Sequence, residues 1–304
     1  DIERALWAFL LGSGIWSSVL LYRLWGGSAI AALGANRLDS MTTGSSRFAF
    51  WTQIAFTIGA GFSIFYRGRK RFVAFLLMMI SFIAIIFSYD RAAAFISLGS
   101  FFVYFVIIVW QNRGYRKLKA FGPLIVVGIL GAMVFLLAPK EWLNRLNDFS
   151  SIENFLETYR PRLWLASLQI AIEHPMGLGM RRFPSLLYQK LWSLGAPPGA
   201  LRAQDPHNTY LLIAIEMGFL CLLLFIWQWF LVGRVIFKYS IRYYWQSSFC
   251  PYKAKLINYV LIVLFVTISI SAFMSSFLRD EVWALLLGLI VVYIRNVRVS
   301  PISY

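Results

Sequence analysis

Apolar residues dominate this chain in eight long stretches, at 5–22, 48–66, 72–89, 92–110, 120–138, 209–232, 256–277 and 282–296. Each approaches the roughly 20 residues that a helix needs to cross a bilayer. The pattern predicts an all-α, polytopic helical membrane protein with about eight spans. The apolar run 72–110 is interrupted only by Asp90 and Arg91. As one helix it would reach about 60 Å at the usual rise per residue, about twice the hydrocarbon core. A turn is therefore expected at Tyr89-Asp90-Arg91. The stretch 282–296 is short and suits a tilted or partly interfacial helix.

One long polar segment, 139–206, divides the apolar pattern. Within it, Leu163, Ala166, Ile170 and Ala171 recur at near-helical spacing, which predicts an amphipathic helix over 158–173. Pro175 ends that helix, and Gly177 and Gly179 follow in a turn. Gly195-Ala-Pro-Pro-Gly199 reads as coil. The expected organisation is transmembrane helices over 1–138, an outer, partly helical loop over 139–206, and transmembrane helices with a cytoplasmic tail over 207–304. No internal repeat or low-complexity stretch is present.

Charge orients the spans. Connectors on one side carry Arg67, Arg69, Lys70 and Arg71, then Arg113, Arg116, Lys117 and Lys119, then Arg234, Lys238, Arg242, Lys253 and Lys255, then Arg295 and Arg298, with no acidic residue. The short connectors opposite hold only Arg23, Arg37, Arg47, Arg91 and Arg279. The positive-inside rule makes the first side cytoplasmic. Both ends are then cytoplasmic and 139–206 lies outside. Long loops cross largely regardless of their charge, so the basic residues of that segment do not oppose this orientation.

Composition agrees. Hydrophobic residues make up 60% and charged residues only 14%, against roughly a quarter charged in soluble domains. The net charge of +16 raises nucleic acid as a partner, but the basic residues sit in short clusters between apolar runs. Anionic membrane lipid explains them better, and no nucleic acid is expected. Cys221 and Cys250, one in an apolar run and one in a basic loop, suggest neither a disulfide nor a zinc site. The chain begins at Asp1 without a methionine or a signal peptide, so an N-terminal truncation is expected.

Candidate chemistry gathers on the outer side. Asp205-Pro-His-Asn-Thr209 opens the sixth apolar stretch, with Asp205 as N-cap and Pro206 at the first helical position. His207 would then lie in the first turn, where the helix dipole disfavours a charged imidazole. A neutral imidazole suits a general base; an interfacial histidine without a task is the other reading. His174, before a proline at a helix end, has the weaker case. Arg160 and Arg162 precede the amphipathic helix, Arg91 sits at the forced turn, and Arg181 and Arg182 follow the glycine turn. Guanidinium groups hold phosphate bidentately at any working pH, although snorkelling to headgroups would also account for them. Glu216 falls inside the sixth span, where an acidic residue is a functional candidate. On a helix continuous from His207 it would face the opposite way and pair with a neighbouring helix. The sequence holds no Gly-rich phosphate loop, no Cys-x-x-Cys, no paired helical histidines and no acidic cluster, so neither a metal nor a cofactor is expected.

The order Arg160-Pro-Arg-Leu-Trp164, His174-Pro-Met-Gly-Leu-Gly179, Phe183, His207-Asn-Thr-Tyr-Leu211 and Glu216-Met-Gly218 resembles the O-antigen ligase and polymerase family of bacterial membrane proteins. Ser88-Tyr-Asp-Arg91-Ala is similar to that family's Ser-Arg-Gly-Ala turn, with Asp90 in place of the serine and Ala92 in place of the glycine. The resemblance covers roughly residues 72 to 295. It implies a multi-pass glycosyltransferase of the bacterial inner membrane with its long loop outside the cytoplasm. The donor would be a polyprenyl diphosphate-linked glycan. The acceptor would be lipid A-core in a ligase, or another lipid-linked repeat unit in a polymerase. Attack would invert the anomeric configuration without a metal. By the same resemblance, Arg160 and Arg91 would hold the diphosphate and His207 would orient or deprotonate the acceptor. Arg162, Asn208, Arg181 and Arg182 would help bind substrate.

Two other classes stay open. A transporter or flippase would place ionisable residues or broken helices at mid-membrane, where only Glu216 qualifies. A membrane acyltransferase would want a lone histidine buried within a span, and His207 opens outward instead. Oligomeric state is not legible.

Overall fold

The computed structural model of the chain describes residues 2–25, 44–88, 90–111, 159–180, 182–195, 206–245 and 252–274, with isolated residues between 128 and 136 and at 288. Among the described residues all regular structure is helical. The helices are α1 (Ile2–Trp25), α2 (Gly44–Phe65), α3 (Gly68–Phe87), α4 (Arg91–Gln111), α5 (Tyr159–Glu173), α6 (Pro184–Ser193), α7 (Thr209–Trp245) and α8 (Tyr252–Met274). Five apolar segments are long enough to cross a membrane: Ile2–Tyr22, Phe48–Phe65, Gly68–Phe87, Thr209–Lys238 and Leu256–Phe273. Ala92–Ile107 in α4 is a shorter apolar helix. The expected spans 120–138 and 282–296 fall almost wholly outside the described residues.

The chain forms two compact units. The first comprises Asp1–Pro139, Val235–Ile268 and Ala284–Tyr304; the second comprises Lys140–Arg234 and Ser269–Trp283.

In the first unit α2 packs against α1, α3 and α4 and is the most buried of the apolar helices. Small residues let the backbones approach, as is usual where lipid gives no hydrophobic drive to association. A Cβ at Gly59 would lie 3.0 Å from Cβ of Met78, and one at Gly61 would lie 2.6 Å from Tyr104 Oη. The room at Gly61 lets the Tyr104 hydroxyl donate to the Thr57 carbonyl at 3.0 Å. The buried hydroxyls of Thr52, Ser81 and Ser97 donate to carbonyls of their own helices. That follows from the lack of water in a bilayer core. At one end Glu3 of α1 pairs with Lys70 of α3 at 3.5 Å. These two helix ends therefore share a side, as the expected alternation of spans requires.

The break within 72–110 falls where length demands it. α3 ends at Phe87, and α4 starts at Arg91. Asp90 caps α4 by accepting the Ala93 amide on Oδ1 at 3.0 Å, while its own amide donates to Ser88 Oγ at 3.3 Å.

In the second unit α5, α6 and the first turns of α7 share one apolar core. Leu163, Ala166 and Ile170 of α5 meet Leu187 and Leu191 of α6 and Leu212 and Ile215 of α7, with Phe183 between them. The amphipathic helix thus forms over Tyr159–Glu173 with the expected residues inward. Helix α6 was not expected. Its signals were present: Pro184 at the first position, Phe183, Leu187 and Leu191 at i, i+4 and i+8, and Lys190 in the last turn. Lys190 pairs with Glu173; being largely exposed, the pair adds little stability.

Helix α7 differs most from expectation. It runs 37 residues, well past the expected 209–232, and is broken at Gly218, where φ is 86° and ψ 170°. Only glycine adopts that conformation readily.

Candidate functional site

Three short segments of the second unit hold most of the expected site residues, and each has a local reason for its shape. The first is the turn after α5. His174 donates its amide to Ile170 O at 3.0 Å as the last helical bond, and its carbonyl accepts the Gly177 amide at 2.8 Å. Pro175 between them cannot extend the helix. Gly177 and Gly179 both take positive φ, at 84° and 87°.

The turn then docks onto the break in α7. The Leu178 amide donates to Ile215 O at 2.8 Å, the Gly179 amide to Glu216 O at 2.9 Å, and the Phe219 amide to Pro175 O at 2.9 Å. Breaking the helix at Gly218 frees backbone groups that burial would penalise; the turn supplies their partners. No side chain fits at the crossing. A Cβ on Gly177 would lie 2.6 Å from Gly218 N, and one on Gly218 would lie 2.7 Å from Pro175 O. The His174–Gly179 and Glu216–Gly218 motifs, 37 to 44 residues apart at the paired positions, are two halves of one backbone clasp.

The second segment opens α7, and here the expected arrangement is corrected. Pro206, His207 and Asn208 all precede the helix. Asn208 is the cap: its Oδ1 accepts the Leu211 amide at 3.1 Å, and its carbonyl accepts the Leu212 amide at 3.0 Å. His207 therefore lies one residue outside the cap and not in the first turn. Its φ of 46° makes it the non-glycine residue with left-handed backbone among those described. Such a conformation costs about 1 kcal/mol or more, and histidine tolerates it better than most residues. The imidazole is half-buried. Since the helix begins at Thr209, the expected helical rotation between His207 and Glu216 does not apply; Glu216 is buried beside the clasp. Asp205 lies outside the described residues.

The arginines form the third feature. Arg160 is the second residue of α5 and Arg91 the first of α4; Arg91 belongs to the other unit. Arg162, on the first turns of α5, donates from Nη1 to Gly195 O at 2.6 Å. Gly195, with φ 63°, terminates α6, so Arg162 ties the start of α5 to the end of α6. One bond leaves the other guanidinium donors available. Arg182 is exposed, with its Cδ against Gly179. Arg181 lies outside the described residues. Among the described residues no cluster of His, Cys, Asp and Glu could hold a metal ion.

Residues 76–226, about half of the chain and running from α3 into α7, match the family model of the O-antigen ligases. The chain belongs to the O-antigen ligase family. No curated protein matches it. As an O-antigen ligase family protein with several membrane-length apolar helices, it is a multi-pass bacterial membrane protein of the glycosyltransferase kind, acting in polysaccharide assembly.

The geometry assigns several family-like residues of this O-antigen ligase domain to the scaffold. Phe183 fills the core, Gly177, Gly179 and Gly218 form the clasp, Asn208 caps α7, and Trp164 packs edge-on against Phe273 at 5.3 Å. The replacement at Asp90 keeps the turn, because aspartate and serine serve equally as N-caps.

Proposed function

We propose that this protein transfers a glycan from a polyprenyl diphosphate-linked donor to an acceptor hydroxyl at the outer leaflet of the inner membrane, as a ligase or a polymerase. The observation that carries the reading is His207, held half-exposed by left-handed backbone just ahead of the Asn208-capped helix. Strain of this kind gathers at functional sites. Its domain also carries Arg160, Arg162 and Arg182. In this reading residues 139–206 form the outer loop between two transmembrane regions, 1–138 and 207–304, with eight spans in all.

The acceptor oxygen attacks the anomeric carbon from the face opposite the diphosphate. The glycosyl–phosphate bond breaks, its electron pair leaves on the polyprenyl diphosphate, and the configuration inverts. His207 orients the acceptor hydroxyl and takes its proton. Arg160 and Arg91 stabilise the charge developing on the diphosphate, work that fixed cations do well in a water-poor site. Arg162, Arg181, Arg182 and Asn208 assist binding, Arg162 and Asn208 while also holding the scaffold. The acceptor is lipid A-core or a second lipid-linked repeat unit. Neither metal nor cofactor takes part.

The break in α7 is the feature that favours a transporter or flippase, since interrupted spans line transport sites. Against that reading, the carbonyls of Ile215 and Glu216 accept the amides of Leu178 and Gly179 and are thereby engaged within the protein.

Complementation of a strain lacking the native gene tests the proposal. The full-length protein would be compared with His207→Ala and Arg160→Ala by surface polysaccharide on a gel. Loss of polymer at normal protein level is expected, with the banding separating failed ligation from failed chain extension. Wild-type polysaccharide from both variants would refute the assignment and shift weight to transport.

A further inference from the structure

Helix α5 buries one face and leaves an apolar stripe on the other. At 100° per residue, Leu165, Leu168 and Ile172 lie opposite the buried Leu163, Ala166 and Ile170, and they are 48%, 43% and 61% exposed. Arg162, Gln169 and Glu173 flank this outer stripe. It continues into Met176, which is 83% exposed and whose main chain rests on Gly218 of the clasp. Directly beyond Gly218, α7 exposes Leu220 and Leu224. Those side chains belong to a membrane-length apolar helix and find acyl chains as their solvent.

We infer that the outward face of α5 rests on that same lipid. Leu165, Leu168, Ile172 and Met176 enter the boundary between headgroups and acyl chains, and the helix lies along the membrane surface. Three features of the helix select lipid as the occupant. The stripe is continuous, through the backbone clasp, with the exposed face of α7. It carries no charge of its own. Its polar flank supplies the residues that an interfacial helix directs toward headgroups and water. A water-facing helix would instead present polar residues at 165, 168 and 172. The contact with lipid follows from the second unit alone; only the choice of leaflet rests on the orientation proposed above.

Single cysteines test this in the full chain carrying Cys221→Ser and Cys250→Ser. Leu168→Cys and Ile172→Cys, with Leu224→Cys as the acyl-chain reference, would be labelled with an environment-sensitive fluorophore. The proteins would be reconstituted in phosphatidylcholine–phosphatidylglycerol vesicles with or without brominated acyl chains. Quenching by bromolipid at 168 and 172 within about twofold of that at 224 is expected, as for an interfacial helix. Iodide should quench them far less than it quenches the same dye on glutathione. Iodide quenching equal to that of the free dye would place the stripe in water and overturn the inference. Protection from both quenchers, with a cross-link between cysteines at 168 of two molecules, would overturn it in favour of a second copy of the chain.

Discussion

The main chains of Gly177 and Gly218 cross so closely that a Cβ on Gly177 would stand 2.6 Å from the amide nitrogen of Gly218. Three backbone hydrogen bonds surround this crossing. It joins the turn after α5 to the first turns of α7, and so joins the helix bearing Arg160 and Arg162 to the helix that His207 precedes. Nothing about the crossing depends on side-chain chemistry, which is why glycine is the residue on both sides.

Gly218→Ala and Gly177→Ala are expected to lower the thermal midpoint of the detergent-solubilised protein by several degrees. The positive φ alone costs about 1–2 kcal/mol, and the backbone overlap adds to it. Gly99→Ala is the comparison: this glycine sits within α4 with open space around it, and alanine there should gain up to about 1 kcal/mol. Equal midpoints for all three variants would show that the crossing is not made.

Asn208 is read as a cap. Asn208→Ala should cost about 1 kcal/mol, while Asn208→Asp should cost little, because both side chains accept the same amide. Thermal midpoints measure this directly. If Asn208→Asp matched wild type in stability yet lost glycan transfer, the amide would have a substrate-binding task beyond the cap.

His207→Gly separates chemistry from strain. Glycine accepts a φ of 46° without steric strain, which offsets its entropic cost of about 0.5–1 kcal/mol, so the midpoint should change little. Transfer from a lipid-linked donor by the purified protein should fall by about 10²–10⁴-fold if the imidazole is the base. Unchanged transfer would remove His207 from the mechanism.

At the turn before α4, Asp90→Ser should preserve both fold and transfer, whereas Asp90→Ala should lose about 1 kcal/mol of capping. Arg91→Lys keeps the charge but not the bidentate geometry. It should reduce transfer at an unaltered midpoint; full activity would argue that Arg91 does not grip the diphosphate.

Much of this protein was legible in its residue pattern, because lipid as a solvent imposes a length and a polarity on every spanning helix. The break at Asp90 followed from length alone, and the inward face of α5 followed from spacing. The family resemblance followed from short motifs whose order survives in the chain.

Tertiary structure decided what pattern could not reach. The clasp pairs residues 37 to 44 positions apart through backbone groups, which leave no mark in sequence beyond their glycines. The cap of α7 is Asn208 and not the expected Asp205, and the His207 ahead of it has left-handed backbone; both aspartate and asparagine suit a cap, so residue preference did not distinguish them. Helix α6 is short, and periodicity over so few residues does not stand out until Phe183, Leu187 and Leu191 find a common core. Sequence alone determined the solvent, the long apolar helices that the structure describes, and the family. Only packing decided which of the family-like residues hold the scaffold, because that depends on contacts between segments far apart in the chain.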